Sequence, residues 1–78
     1  IPLLFMTWGY KNKPTMYEEL KKEFVKVANL NNLLLIPAGE AFYLGNKSYP
    51  EINLYTSDNR HPSEEGTYLA ASVVFATL

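Results

Sequence analysis

The segment "SDNRHPSEEGTYLAA", Ser57 to Ala71, holds the chain's one aspartate, Asp58, and its one histidine, His61, three positions apart. Those residue types at that spacing are able to do proton-transfer chemistry. A histidine acting as general base needs one ring nitrogen free for the reaction. The other must be held by a hydrogen bond that sets its tautomer and orientation. A carboxylate three residues earlier in a tight turn can reach that second nitrogen. Pro62 biases His61 away from helical geometry and toward an extended one, so the imidazole should project from the loop. Ser63 is placed to cap the helix that follows, and Glu64 and Glu65 suit its first turn. The competing reading is an ordinary loop, in which Asp58 closes an Asx-turn and His61 is solvated.

Composition narrows the setting. At 78 residues the chain is at most one small domain, burying roughly 60–65% of the surface its unfolded form exposes. A hydrophobic share of 47% against 19% charged is that of a globular protein and not a disordered one. Seven basic against eight acidic residues give no face suited to neutralising phosphates, so no nucleic-acid partner is expected. The absence of cysteine excludes a disulfide framework and leaves the compartment open, secreted and periplasmic locations included. One histidine beside one carboxylate falls short of a zinc ligand set, and no phosphate loop or dinucleotide fingerprint is present. No metal or cofactor is therefore expected. The longest apolar run, "NLLLIPA", is too short to span a bilayer.

The elements that must carry the Asp–His turn read as α/β. "PLLFMT", Pro2 to Thr7, and Leu33 to Ile36 are continuous apolar runs, which suit buried parallel strands. Between them "MYEELKKEFVKVANL" has Tyr17, Leu20, Phe24, Val27 and Ala28 at helical spacing. Thr15 and Glu18 form a capping box, and Asn29, Asn31 and Asn32 mark the end. Strand, helix and strand make a right-handed βαβ unit. "AGEAFYL" reads as a short helix ending at Gly45, followed by loop to Arg60 with "EINLY" briefly extended. The last helix starts near Ser63 with Tyr68, Leu69, Ser72, Val73 and Ala76 inward. A two-stranded parallel sheet has too little cover to stand alone in water. The pattern is the C-terminal part of a three-layer α/β domain, and both ends read as cut from a longer chain.

"LYTSDNRHPSEEGTYLAASVVFATL" closely resembles the last block of the SGNH (GDSL-like) hydrolases. The resemblance rests on the D-x-x-H pair and on His61, Pro62, Ser63, Gly66, Ala70 and Ala71. Upstream, "LLFMTWGYKN" resembles that family's late strand with a Trp-Gly loop, and "LNNLLLIPAGEAFYL" its next strand and short helix. The resemblance implies that residues 1–78 are the C-terminal portion of one flavodoxin-like α/β/α domain. It also implies a serine esterase, acting on a small ester or an acylated carbohydrate. His61 would be the general base and Asp58 its orienting partner.

The family's Gly-Asp-Ser nucleophile and its oxyanion blocks are not in this sequence. Ser48, Ser57, Ser63 and Ser72 are poorly placed to substitute for that serine, so the segment by itself is expected to be inert and poorly soluble. Its implied partner is the missing N-terminal part of the same domain. Trp8, at the end of the first strand, is a candidate to line the substrate pocket or to anchor the core. Asn59 is a candidate substrate contact or a plain turn residue, and Tyr55 is weighed the same way. Arg60 could attract an anion, and Glu40 reads as a surface residue. The alternative function is a non-catalytic α/β binding module, or a fragment without function, that retains the hydrolase scaffold.

Overall fold

The computed structural model describes residues 2–78. In chain order these form β1 (Leu3–Phe5), α1 (Met16–Asn31), β2 (Leu34–Ile36), α2 (Ala38–Ser48) and α3 (Glu64–Thr77). The fold is a small mixed α/β arrangement of three helices with a two-stranded parallel sheet. Leu3, Leu4 and Phe5 pair with Leu34, Leu35 and Ile36. Parallel strands need a long crossover, which α1 supplies. The strands are shorter than the apolar runs suggest. Leu3, Phe5 and Leu34 remain exposed, because no further strand or helix covers them within these residues.

In α1, Leu20 and Phe24 are half-buried and Ala28 is buried, as the periodicity implies, while Val27 lies 41% exposed on the flank. Thr15 does not cap this helix. Its backbone is already helical at φ −70°, ψ −17°, whereas a capping side chain needs a non-helical backbone to reach forward. The Met16 N–H is instead taken by the Lys13 carbonyl at 3.0 Å. At the other end Asn32 adopts the left-handed conformation at φ 53°, and its N–H closes on the Ala28 carbonyl. Asparagine tolerates that geometry almost as glycine does.

Two helix boundaries or faces differ from the sequence reading. Helix α2 runs through Gly45 to Ser48 and ends just before Pro50. Gly45 is a point of close packing and not a stop, since a Cβ there would come within 3.0 Å of the Leu54 side chain. In α3 the inward stripe is Gly66, Leu69, Ala70, Val73, Val74 and Thr77, while Tyr68, Ser72 and Ala76 face solvent. The rotation follows from Gly66, whose missing side chain lets the helix backbone press against the Leu54 carbonyl.

The core gathers where these elements meet. Met6, Ala38 and Phe42 are fully buried, with Ala28, Ile36, Leu54 and Tyr55 nearly so. Trp8 stacks on Phe42 at 4.6 Å, and Tyr55 meets the same ring edge-on at 5.6 Å. The exposed Leu30, Phe75 and Leu78 lie outside this cluster. Gly66→Ala is expected to destabilise the fold by about 2–3 kcal/mol, because the new methyl group overlaps backbone that has no room to move. A thermal unfolding midpoint equal to that of the unsubstituted protein would show that α3 is not seated against Leu54.

Candidate active site

The turn carrying Asp58 is closed at its base by backbone. Tyr55 and Pro62 form an antiparallel bridge, the Thr56 N–H donates to the His61 carbonyl at 2.8 Å, and the Ser63 N–H donates to the Leu54 carbonyl at 2.9 Å. Asn59 sits at the corner with φ 61°, and its N–H reaches back to the Thr56 carbonyl at 3.0 Å. Ser63 caps α3 as its position implies. Its backbone is extended and its Oγ accepts the Gly66 N–H at 3.1 Å.

Asp58 uses its two oxygens differently. Oδ1 accepts from the Thr56 hydroxyl at 2.7 Å, the Arg60 N–H at 2.9 Å and the His61 N–H at 3.1 Å. Oδ2 lies 2.5 Å from His61 Nδ1. Turn closure and histidine orientation, which stand as alternatives in the sequence, are thus both performed by one carboxylate. The Arg60 backbone N–H, followed by the His61 ring, holds the Asp58 carboxyl well below the usual carboxylate range. An ionised carboxylate has no proton to offer, so the proton between the pair belongs to Nδ1. In the tautomer that puts this proton on Nδ1, Nε2 is the acceptor, and the side chain is 77% exposed.

Trp8 and Asn59 both hold the turn. The Trp8 indole N–H donates to the Arg60 carbonyl at 2.8 Å, with the ring face against Phe42. The Asn59 carbonyl accepts the Lys11 N–H at 2.9 Å. Tyr55 is buried, its hydroxyl donating to the Gly9 carbonyl at 2.7 Å, and burial pushes its pKa upward. The Arg60 guanidinium stands over the Tyr10 ring at 4.9 Å. Thr56 and Lys11 are supports that the sequence reading missed. Thr56 had a local signal, since a hydroxyl two residues before an aspartate can bond its carboxylate. Lys11 had none, because its role is a backbone contact 48 residues away in the chain. Glu40 is not a plain surface residue. It accepts from Lys21 at 3.0 Å and from the Tyr17 hydroxyl at 3.1 Å, and Lys21 lowers its pKa.

No serine hydroxyl among the described residues bonds to His61. Ser63 Oγ is occupied by its cap and by the Asn53 carbonyl at 2.7 Å, and Ser72 Oγ donates to the Tyr68 carbonyl within its own helix. A groove of about 740 Å³ between α2 and α3 is lined by Leu44, Tyr49, Ile52, Leu54, Tyr68 and Leu69 and does not include the Asp–His pair. Among the described residues no three metal-ligating side chains cluster, and no helix is long and apolar enough to cross a membrane. Comparisons with family models, curated proteins and solved structures give no match.

Because the folded-state pKa of Asp58 lies below its unfolded value of about 3.9, ionisation favours the folded chain. That contribution is present above about pH 4 and is lost as pH falls through the folded value. Asp58→Asn is therefore expected to lower the thermal midpoint near neutral pH, with the gap narrowing as pH drops below about 4. A gap that stays constant across that range would show that the carboxylate's charge does not hold the turn.

Proposed function

We propose that this chain is the C-terminal part of a flavodoxin-like SGNH-type serine esterase, with His61 as general base and Asp58 as its orienting partner. One observation carries the reading: the Asp58 carboxylate lies 2.5 Å from His61 Nδ1, on an imidazole that is 77% exposed. The exposed apolar residues of the two short strands also favour it, since they suit a sheet that continues into further strands.

In this reading a serine hydroxyl from outside these 78 residues passes its proton to Nε2 as its oxygen attacks the ester carbonyl carbon. The imidazolium then gives that proton to the departing alkoxide. Asp58 stays ionised throughout and stabilises the imidazolium. Water repeats the sequence on the acyl-enzyme, with Nε2 again taking the proton. Backbone and side-chain donors near the serine would hold the developing oxyanion. The substrate class is a small ester or an acylated carbohydrate.

In the full natural polypeptide, His61→Ala is expected to lower p-nitrophenyl acetate hydrolysis by roughly 10⁴-fold or more, with an unchanged circular dichroism spectrum. Near-normal activity in the variant would sink the base assignment. No hydrolysis by the unsubstituted polypeptide would favour the non-catalytic binding module instead.

A further inference from the structure

A second recess, of about 210 Å³, opens beside the Asp–His turn between the loop after β1 and helix α2. Its wall includes Tyr10, Lys11, Lys13, Tyr17, Tyr43 and Lys47, and no carboxylate lines it. The aromatic side is rigid. Tyr17 and Tyr43 stack at 3.9 Å and 9°, too close for anything to enter between them. Lys21 stands over Tyr17 at 5.8 Å and Lys47 over Tyr43 at 5.9 Å, so the two cations flank the stack.

The two flanking cations differ in one respect. Glu40 neutralises Lys21 at 3.0 Å. The ion pairs among the described residues are Lys21–Glu40 and His61–Asp58, so Lys11, Lys13 and Lys47 have no carboxylate within 4.0 Å. Lys11 Nζ donates to the neutral Asn53 side chain at 3.1 Å, which places the ammonium without discharging it. Three cations stand around an aromatic wall whose one carboxylate contact, Glu40 on the Tyr17 hydroxyl, is already engaged by Lys21, and together they concentrate positive potential in a small concavity. The chain as a whole carries a formal net charge of −1, so this excess is local.

We propose that this recess binds a small organic anion, a carboxylate or phosphate carried on a ring. The ring packs against the edges of the Tyr17–Tyr43 stack, whose faces are taken by each other and by Lys21 and Lys47, and Lys13 and Lys47 take the charge. The floor is preformed, because Tyr55 holds the Gly9 carbonyl at 2.7 Å and Asn46 approaches the Tyr55 hydroxyl at 3.5 Å. A preformed concavity with aromatic walls and a few convergent polar groups is the usual form of a small-ligand site. The inference stands on these residues alone and does not depend on the esterase reading.

The test is a ligand-observed NMR titration of the full natural polypeptide with phenyl phosphate, benzoate and the neutral benzyl alcohol. At least one of the two anions is expected to bind saturably and to bind more tightly than the alcohol. Binding of phenyl phosphate alone would identify a phosphate site, and of benzoate alone a carboxylate site. Lys13→Gln combined with Lys47→Gln is expected to weaken that binding by about 5-fold or more, given modest contributions from each exposed charge. Raising salt from about 0.01 M to about 0.15 M should weaken it as well, as the screening length shrinks. His61→Ala should leave it unchanged, which separates this result from the fate of the catalytic reading. Equal binding of benzyl alcohol, full affinity in the double variant, or no binding of either anion would each overturn the proposal.

Discussion

Leu54 and Tyr55 belong to no regular element, yet they are 5% and 3% exposed. Buried irregular backbone must find hydrogen-bond partners outside a helix or sheet, and the fold is arranged around meeting that demand. The Leu54 carbonyl receives the Ser63 N–H, and the Tyr55 N–H donates to the Asn53 side chain at 3.1 Å. Ser63, having supplied its N–H, caps α3 with its hydroxyl, and Gly66 lets the same helix approach the Leu54 carbonyl. Helix α3 is therefore seated by a backbone requirement as much as by apolar contact. Its own apolar surface is only partly used, since Phe75 and Leu78 are 86% and 74% exposed.

The same buried pair connects the core to the turn. Tyr55 meets Phe42 edge-on, Phe42 carries Trp8 on its face, and the Trp8 N–H returns to the Arg60 carbonyl. His61 is thus highly exposed but not loosely held. It is fixed by Asp58 through its ring, by Thr56 through its carbonyl, and indirectly by an aromatic stack anchored on a fully buried phenylalanine. A group that takes and returns a proton needs this combination of fixed orientation and an open nitrogen. Asp58 supplies the orientation at the surface, where water would otherwise compete, by accepting three hydrogen bonds on Oδ1 before engaging the imidazole.

Helices α1 and α2 are braced separately. Tyr17 and Tyr43 stack across the interface, and Glu40 ties both Lys21 and the Tyr17 hydroxyl to α2. This brace spends the only carboxylate on α2, Glu40, on the α1 side of the tyrosine stack. It leaves Lys47 on the other side uncompensated, so the asymmetry of charge around the recess is a by-product of how the helices are held together.

Much of this was legible in the residues. The parallel βαβ order, the three helices and the Ser63 cap follow from short-range signals: apolar runs, 3.6-residue periodicity, and a hydroxyl beside proline. The Asp58–His61 bond was legible for the same reason, since a three-residue separation in a proline-bounded turn leaves the two side chains few other arrangements. What the sequence could not determine depends on contacts between distant residues. Thr15 failed to cap because the preceding loop entered already helical. Gly45 continued a helix it was expected to end, and α3 turned Tyr68 outward. Trp8 and Asn59 became supports of the turn because Arg60 and Lys11 offered backbone partners across the chain. Local spacing settles which atoms can meet within a turn. Only the packed chain decides which face of a helix is pressed inward, because that choice belongs to whatever lies opposite.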